Sequence, residues 1–297
     1  MRIAQNEMSP IGCPFPSRRK EADMSEHILS LSYGKDSLAC LGAIEALGWP
    51  LDRIVHAEVW ATDTIPADLP PMVEFKAKAD KWIRDRYGIE VEHSKADYTY
   101  QDVFYKKPKE KTIAKRIESG KPISHYNGGD LGWPIYGFPT IRGPWCNSKI
   151  KMQALKKAKP KDAISYIGIA ADEPSRFHSL CDAVRSPRVE AGWTEAMCRK
   201  WCEENDILSP IYTTATRGGC WFCHNQGVDQ LRLLRRDYPE YWALLMKWDM
   251  DSPVTFKPDG HTVHDFDRRF ALEDEGIVNP IHPFRWAMLD GDVQLRF

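Results

Sequence analysis

One stretch constrains the fold more than any other. His27–Ser32 (HILSLS) reads as a short buried strand, and SLACLGAIEALG shortly after it places apolar residues at helical spacing. Between them lies the loop Ser32-Tyr33-Gly34-Lys35-Asp36-Ser37. A strand that turns at once into a helix leaves backbone N–H groups and the positive end of the helix dipole facing the turn, which makes it a natural anion site. Gly34 lets the backbone come close to a ligand, Lys35 adds a charge, and Ser32 and Ser37 offer hydroxyl donors. The loop has neither the GxxxxGK[ST] spacing of a Walker loop nor the GxGxxG of a dinucleotide fold.

The next segments repeat the alternation. Arg53–Trp60 reads as a second strand, and 68–87 as a helix opened by Pro70–Pro71 and closed before Gly88. Ile89–His93 reads as a third strand, 148–159 as a lysine-rich helix and Ala163–Ile169 as a fourth strand. Strands alternating with helices imply an α/β fold whose parallel sheet has helices on both faces and a right-handed first crossover. Residues 97–145 are irregular and rich in Tyr, Pro and Gly, the composition of a functional loop or lid. From Thr194 the pattern turns helical, first to Glu204 and again over Gln230–Leu245, with Trp242 and Trp248 as core; the last 50 residues give no clear pattern. The expected division is a flexible tail over 1–26, an α/β domain over 27–190 and a mainly helical C-terminal region over 191–297.

Composition narrows the class. Lys and Arg number 41 against 42 Asp and Glu, a formal charge of −1, so the chain has no global attraction for nucleic acid or an acidic membrane. Its longest uncharged stretch, Leu131–Ile141, falls well short of the roughly 18 apolar residues of a spanning helix. The opening MRIAQNEMSP has no apolar run and no cleavage pattern. The expectation is a cytoplasmic protein without membrane association. Eight cysteines are too sparse for a disulfide scaffold of this length.

The loop Ser32–Ser37 closely resembles the SGGKDS pyrophosphate loop of the adenine-nucleotide alpha-hydrolase superfamily, to which the ATP pyrophosphatases and PAPS reductases belong, with Tyr33 in place of a glycine. Further segments carry the likeness in the same order. Gly137 to Lys149, which contains Trp145-Cys146-Asn-Ser-Lys149, resembles the Trp-Cys…Lys segment of the PAPS reductase branch. Gly168-Ile-Ala-Ala-Asp-Glu173-Pro-Ser-Arg176 resembles its GxRxxES-x-x-R segment, with Ala170 in place of the arginine. Thr62-Asp63-Thr64 resembles its adenosine-reading DTG position. The likeness covers roughly residues 27–245.

This resemblance implies a Rossmann-like sheet of the HUP type that binds ATP or a related adenine nucleotide at the carboxyl ends of its strands. Phosphates would lie on Ser32, Tyr33, Gly34, Lys35, Asp36 and Ser37, with Asp36 orienting Mg2+. Asp63 and Gly168 would line the nucleotide, while Lys149, Glu173 and Arg176 would close over it. Lys35, Asp36 and Lys149 would carry catalysis.

Arg217-Gly-Gly-Cys220-Trp-Phe-Cys223-His224 is the second strong signal. A C-x-x-C on a glycine-led turn puts two thiolates on one side, which suits zinc, an iron–sulfur cluster or a redox dithiol. One pair cannot complete a site. Cys146 is the best third ligand, since the resemblance puts its loop beside the nucleotide; Cys202, Cys198 and His224 compete for the fourth place, with Cys202 preferred and Cys198 read as core. A [4Fe-4S] cluster with three cysteines and an open iron would resemble the tRNA 2-thiocytidine synthetases. Four ligands would resemble a structural Zn2+ site or the cluster of APS reductases.

The reductases of the family carry a nucleophilic cysteine in an ECGIH-type tail, whereas the last cysteine here is Cys223. The expected activity is therefore ATP-dependent adenylation of an acceptor followed by sulfur transfer. A PAPS or APS reductase that releases sulfite and a non-catalytic nucleotide-binding protein are the alternatives. Expected partners are a tRNA or DNA acceptor, a sulfur donor or thioredoxin-like reductant, and a second copy in a homodimer. Lys106–Lys121, with seven basic and two acidic residues, would form a basic rim, and Tyr98, Tyr100, Phe104 and Tyr105 would offer stacking surfaces for single-stranded nucleic acid. His261, His264 and Asp265 have ligand-like spacing but read as surface or core.

Overall fold

The structure, a computed structural model, describes residues 25–107, 118–120, 135–139, 144–169, 183–213, 218–281 and 283–290. It divides into two compact units that interleave along the chain. The first comprises Met1–Glu58, Pro70–Ala96 and Lys151–Thr213, and the second Val59–Leu69, Asp97–Ile150 and Thr214–Phe297. Residues 191–213 stay with the sheet, and 97–150 join the C-terminal helices.

The first unit is built on a five-stranded parallel sheet. Its strands are β1 (His27–Leu31), β2 (Arg53–Glu58), β3 (Val91–Lys95), β4 (Ile164–Tyr166) and β5 (Val184–Arg185), in the order β3-β2-β1-β4-β5. Helix α1 (Lys35–Leu47) follows β1, and α2 (Pro70–Tyr87) lies in sequence between β2 and β3. The central strand β1 is buried on both faces, as its continuous apolar run demands. Alternation along the strands gives each face its own core. Ile28 and Val55 pack with Ala163 against Leu155 and Ala158. Leu29, Leu31 and Ile54 pack with Leu38, Leu41, Ile44, Phe75, Ala79 and Ile83 from α1 and α2. Leu155 and Ala158 belong to α4 (Met152–Ala158), which follows a π-helical turn at Asn147–Lys151.

Helix α1 ends where Gly48 adopts a left-handed backbone, with the Gly48 and Trp49 amides returning to Glu45 and Ile44. Two further helices belong to this unit, α5 (Pro187–Glu190) and α6 (Glu195–Glu204), and Thr194 caps α6 as its sequence predicts. Gly42 lets α6 approach α1: a Cβ there would stand 2.5 Å from the Trp201 ring.

The second unit holds α3 (Tyr100–Phe104), α7 (Val228–Asp237), α8 (Pro239–Asp251) and α9 (Val263–Asp274). Thr99 and Asp102 close a capping box on α3, and Thr262 and Asp265 do so on α9. The run expected over 230–245 is two helices. Pro239, which has no N–H to donate to a continuing helix, starts the second of them. The core is aromatic: Tyr100, Phe104, Phe138, Trp145, Trp221, Phe222 and Trp248 are all buried, and Trp221 stacks on Trp248 at 5.7 Å between ring centroids. Tyr100 and Phe104 are therefore core residues and offer no stacking surface to a nucleic acid. No helix among the described residues is long and apolar enough to cross a membrane.

Candidate functional site

The strand order 3-2-1-4-5 reverses direction at β1. The connection from β1 runs to β2 on one side, and β4 takes the other side. In open α/β sheets a crevice opens at that point beyond the carboxyl ends of the strands. The β1–α1 loop stands there, and so does the end of β4. Gly168 meets the loop directly: a Cβ on it would lie 3.0 Å from the carbonyl group of Asp36 and from the Ser37 amide nitrogen. Only a residue without a side chain allows this approach.

Within the loop the two serines are turned on the loop itself. Ser37 Oγ accepts from the Ser32 amide at 3.1 Å and the Ser32 hydroxyl at 3.0 Å, and donates to the Gly34 carbonyl at 3.1 Å. They brace the turn, where the sequence reading has them as donors to a phosphate. Gly34 has an extended backbone that any residue adopts (φ −77°, ψ 156°). Its requirement is space, since a Cβ would stand 3.1 Å from the Tyr212 hydroxyl. That hydroxyl in turn accepts a hydrogen bond from the Lys35 amide at 3.0 Å.

The charged side chains form a row of alternating sign. Glu195 of α6 stands 3.3 Å from Lys35 Nζ, Lys35 Nζ donates to both Asp36 oxygens at 3.0 and 3.1 Å, and Arg188 of α5 reaches Asp36 at 2.9 Å. Burial works against the Lys35 charge, but the Asp36 hydrogen bond and the Asp36 and Glu195 charges outweigh it and hold the ammonium above its ordinary pKa. The row keeps Lys35 cationic beside the turn between β1 and α1.

Tyr33 holds the one strained backbone of the loop, with φ +57°. A non-glycine residue bears this at a cost on the order of 1 kcal/mol or more, and such outliers collect at functional sites. Tyr33 is fully buried.

The other residues singled out from the sequence fall elsewhere. Asp63 is exposed in a turn of the second unit, where Thr62 Oγ1 accepts from the Thr64 and Ile65 amides. Lys149 also belongs to the second unit, with Nζ 5.3 Å from the centre of the Tyr136 ring. Glu173, Arg176 and most of the basic run 106–121 lie outside the described residues.

Among the described residues no cysteine is in a disulfide. Cys220 and Cys223 sit on a tight turn in which the Cys223 and Gln226 amides donate to the Cys220 and Cys223 carbonyls. The Trp221 amide and indole fasten this turn to the Ala67 and Pro66 carbonyls at 2.9 Å each. Cys146 lies in the same unit, next to buried Trp145, whose indole donates to the Gly137 carbonyl. The charges of all three thiols bear on one group, the hydroxyl of Tyr100. Burial first, and then the charges of Cys146, Cys223 and Cys220, push its pKa well above the ordinary tyrosine value. That hydroxyl is fully buried and makes no hydrogen bond among the described residues.

Cys146, Cys220 and Cys223 are soft donors of the type that holds zinc or an iron–sulfur cluster. Among the described residues no three His, Cys, Asp or Glu side chains are drawn together as a metal-holding group. Cys202 belongs instead to the first unit. It is fully buried where α6 packs on α1, its thiol donates to the Lys35 carbonyl at 3.5 Å, and burial above all pushes its pKa up to about 12. Cys198 and Cys40 are buried there with it. His261 and His264 are likewise structural: His264 pairs with Asp249 at 2.6 Å, and His261 stacks on Trp286.

Sequence reasoning passed over Arg188, Glu195 and Tyr212, which carry no motif, and the His56 and His93 pair. The last two occupy directly paired positions on β2 and β3, a register visible only once the sheet is known. A scan against family models finds no match for this chain, and neither does a search of curated proteins.

Proposed function

We propose that the chain binds ATP or a related adenylyl nucleotide on the β1–α1 loop of a HUP-type fold, and that it activates an acceptor by adenylation for sulfur transfer. The observation that carries this reading is the close approach of Gly168 to the Asp36 backbone, at the point where the sheet order reverses. Two chain segments that resemble nucleotide-binding motifs thus meet at one crevice. The cationic Lys35 and the N-terminus of α1 supply the charge that a triphosphate needs.

In the proposed reaction an acceptor oxygen attacks the α-phosphorus of ATP, the bond to the β-phosphate oxygen breaks, and pyrophosphate leaves. Sulfur then displaces AMP from the adenylated acceptor. Lys35 and the loop amides offset charge as it grows on the leaving pyrophosphate, with Mg2+ held near Asp36. Cys146, Cys220 and Cys223 would hold an iron–sulfur cluster or a single metal ion, which supplies a soft site able to carry sulfur. Tyr100 faces that group as a hydrogen-bond donor.

The test is to incubate anaerobically purified protein with Mg-ATP, adding tRNA, DNA or small-molecule acceptors in turn. Acceptor-dependent release of pyrophosphate supports the reading. Release of sulfite from PAPS or APS would assign the protein to reductase chemistry instead. Metal analysis of wild type and Cys220→Ser tests the cysteine site: the variant is expected to lose the metal, and full retention removes Cys220 from the ligand set.

A further inference from the structure

A network of ionisable side chains lies under the loop, on the sheet face that α2 covers. His56 and His93 are paired across β2 and β3, and their rings meet edge to face at 5.3 Å. Tyr33 packs edge-on against His56 at 4.8 Å, and Lys76 of α2 stands 5.2 Å from the centre of the Tyr33 ring.

The hydrogen bonds fix the protonation states. His56 Nδ1 faces the Leu31 carbonyl at 2.9 Å and must donate to it, so Nε2 accepts from Lys76 Nζ at 2.9 Å. Burial first, and then Lys76, push the His56 pKa down to about 3, so this ring stays neutral. His93 is placed in the opposite way. Glu58 stands 3.0 Å from Nδ1 and Asp80 2.9 Å from Nε2. A histidine can donate to both carboxylates only as an imidazolium. The Asp80 hydrogen bond, with its charge and that of Glu58, raises the His93 pKa against the effect of burial.

Asp80 thus grips two groups. Its Oδ2 accepts from His93, and its Oδ1 accepts a hydrogen bond from the Tyr33 hydroxyl, which also lies 3.2 Å from His93 Nε2. We propose that Tyr33 is the positioning residue of the anion loop, its hydroxyl clamped by Asp80 and the His93 imidazolium so that residue 33 keeps the left-handed backbone that aims the Gly34 amide. A glycine would reach that backbone freely, whereas tyrosine holds it through its side chain.

The clamp makes the loop sensitive to pH. His93 has a raised pKa in the folded chain, so its contribution is complete below the ordinary histidine value and is lost as pH rises through the raised one. The groups facing His93 are Glu58 and His56 from β2, Asp80 from α2 and Tyr33 from the loop; Lys76 reaches it through His56. Of the two histidines in the network, His56 stays neutral, which leaves His93 to change charge, above the ordinary histidine value.

This inference deepens the nucleotide reading and rests on it, so the test separates the two. Peptide-resolved amide exchange on the full chain compares wild type, Tyr33→Phe and Asp80→Asn over residues 32–37, and Mg-ATP titrations follow at about pH 6 and about pH 8.5. Both variants are expected to exchange at least about tenfold faster in the loop but not along α1, and to bind Mg-ATP about tenfold more weakly. Wild-type affinity should fall at the higher pH, and His93→Gln should flatten that fall. If wild type binds Mg-ATP while both variants keep its exchange and affinity, the clamp is refuted and the nucleotide reading stands. If both variants loosen the loop but no protein binds Mg-ATP, the nucleotide reading falls and the clamp stands.

Discussion

The guanidinium of Arg188, wholly removed from solvent, stands 2.9 Å from the carboxylate of Asp36. The contact is one of charge: among the described residues the guanidinium nitrogens make no hydrogen bond to an oxygen acceptor. Cys40, Cys198 and Cys202 all feel the Arg188 charge, and they offer sulfur where oxygen acceptors would normally surround a buried arginine. Asp36 is therefore the counter-ion of a buried cation as well as a member of the candidate site.

Asp36→Asn keeps the shape and removes the charge, leaving Arg188 without its counter-ion. The expected cost is about 3 kcal/mol of stability, as for other broken buried pairs. Urea denaturation measures it. A change within about 0.5 kcal/mol, the usual range for a surface substitution, would mean that Asp36 does not balance Arg188.

Gly168→Ala tests the meeting of the β4 end with the loop. The added methyl group would press on backbone at 3.0 Å, which cannot swing aside as a side chain would. We expect a loss of about 1–3 kcal/mol and a matching drop in nucleotide affinity. Unchanged thermal stability and binding would show that the loop and the β4 end do not need this contact.

Much of this arrangement was legible in the sequence because it depends on local patterns. The strand–loop–helix at 27–47, the helix over 70–87 and the cap at Thr194 follow from periodicity, proline and capping chemistry, and the chain adopts them nearly as read. The β1–α1 loop was legible for the same reason. What the sequence hides is long-range. Nothing near Tyr212 announces that it accepts from the Lys35 amide, and nothing near Arg188 announces its pairing with Asp36. Cys198 reads as core and Cys202 as a candidate ligand, and both are buried in the core beside α1, a packing that their spacing does not announce.

Tyr100→Phe removes a buried hydroxyl that has no partner. In protein stripped of metal, the variant should be more stable by about 1 kcal/mol, because an unsatisfied polar group is no longer buried. Chelator-treated wild type and variant, compared by thermal melting, provide the check. A destabilised variant would show that the hydroxyl makes a bond of real value in the metal-free state.

Lys159 reaches the hydroxyls of Ser30 and Ser165, and burial lowers its pKa to about 8. Its folded pKa lies below its unfolded one, so between about pH 8 and the ordinary lysine value the unfolded chain binds more protons and stability rises with pH. Below about 8 both states carry the charge, and the cost of burying it is complete. Lys159→Met should therefore stabilise the protein at neutral pH, with the gain shrinking in alkaline buffer. Melting curves across that range would contradict this if the variant were less stable at neutral pH.

The central claim, that the turn after β1 holds the phosphates of an adenine nucleotide, meets its most direct test in calorimetric titration of Mg-ATP into wild type and Lys35→Ala. The account predicts one saturable site in wild type and its loss, or a fall of at least about a hundredfold in affinity, in the variant. Binding of equal strength in both proteins, or no binding to wild type, would contradict it.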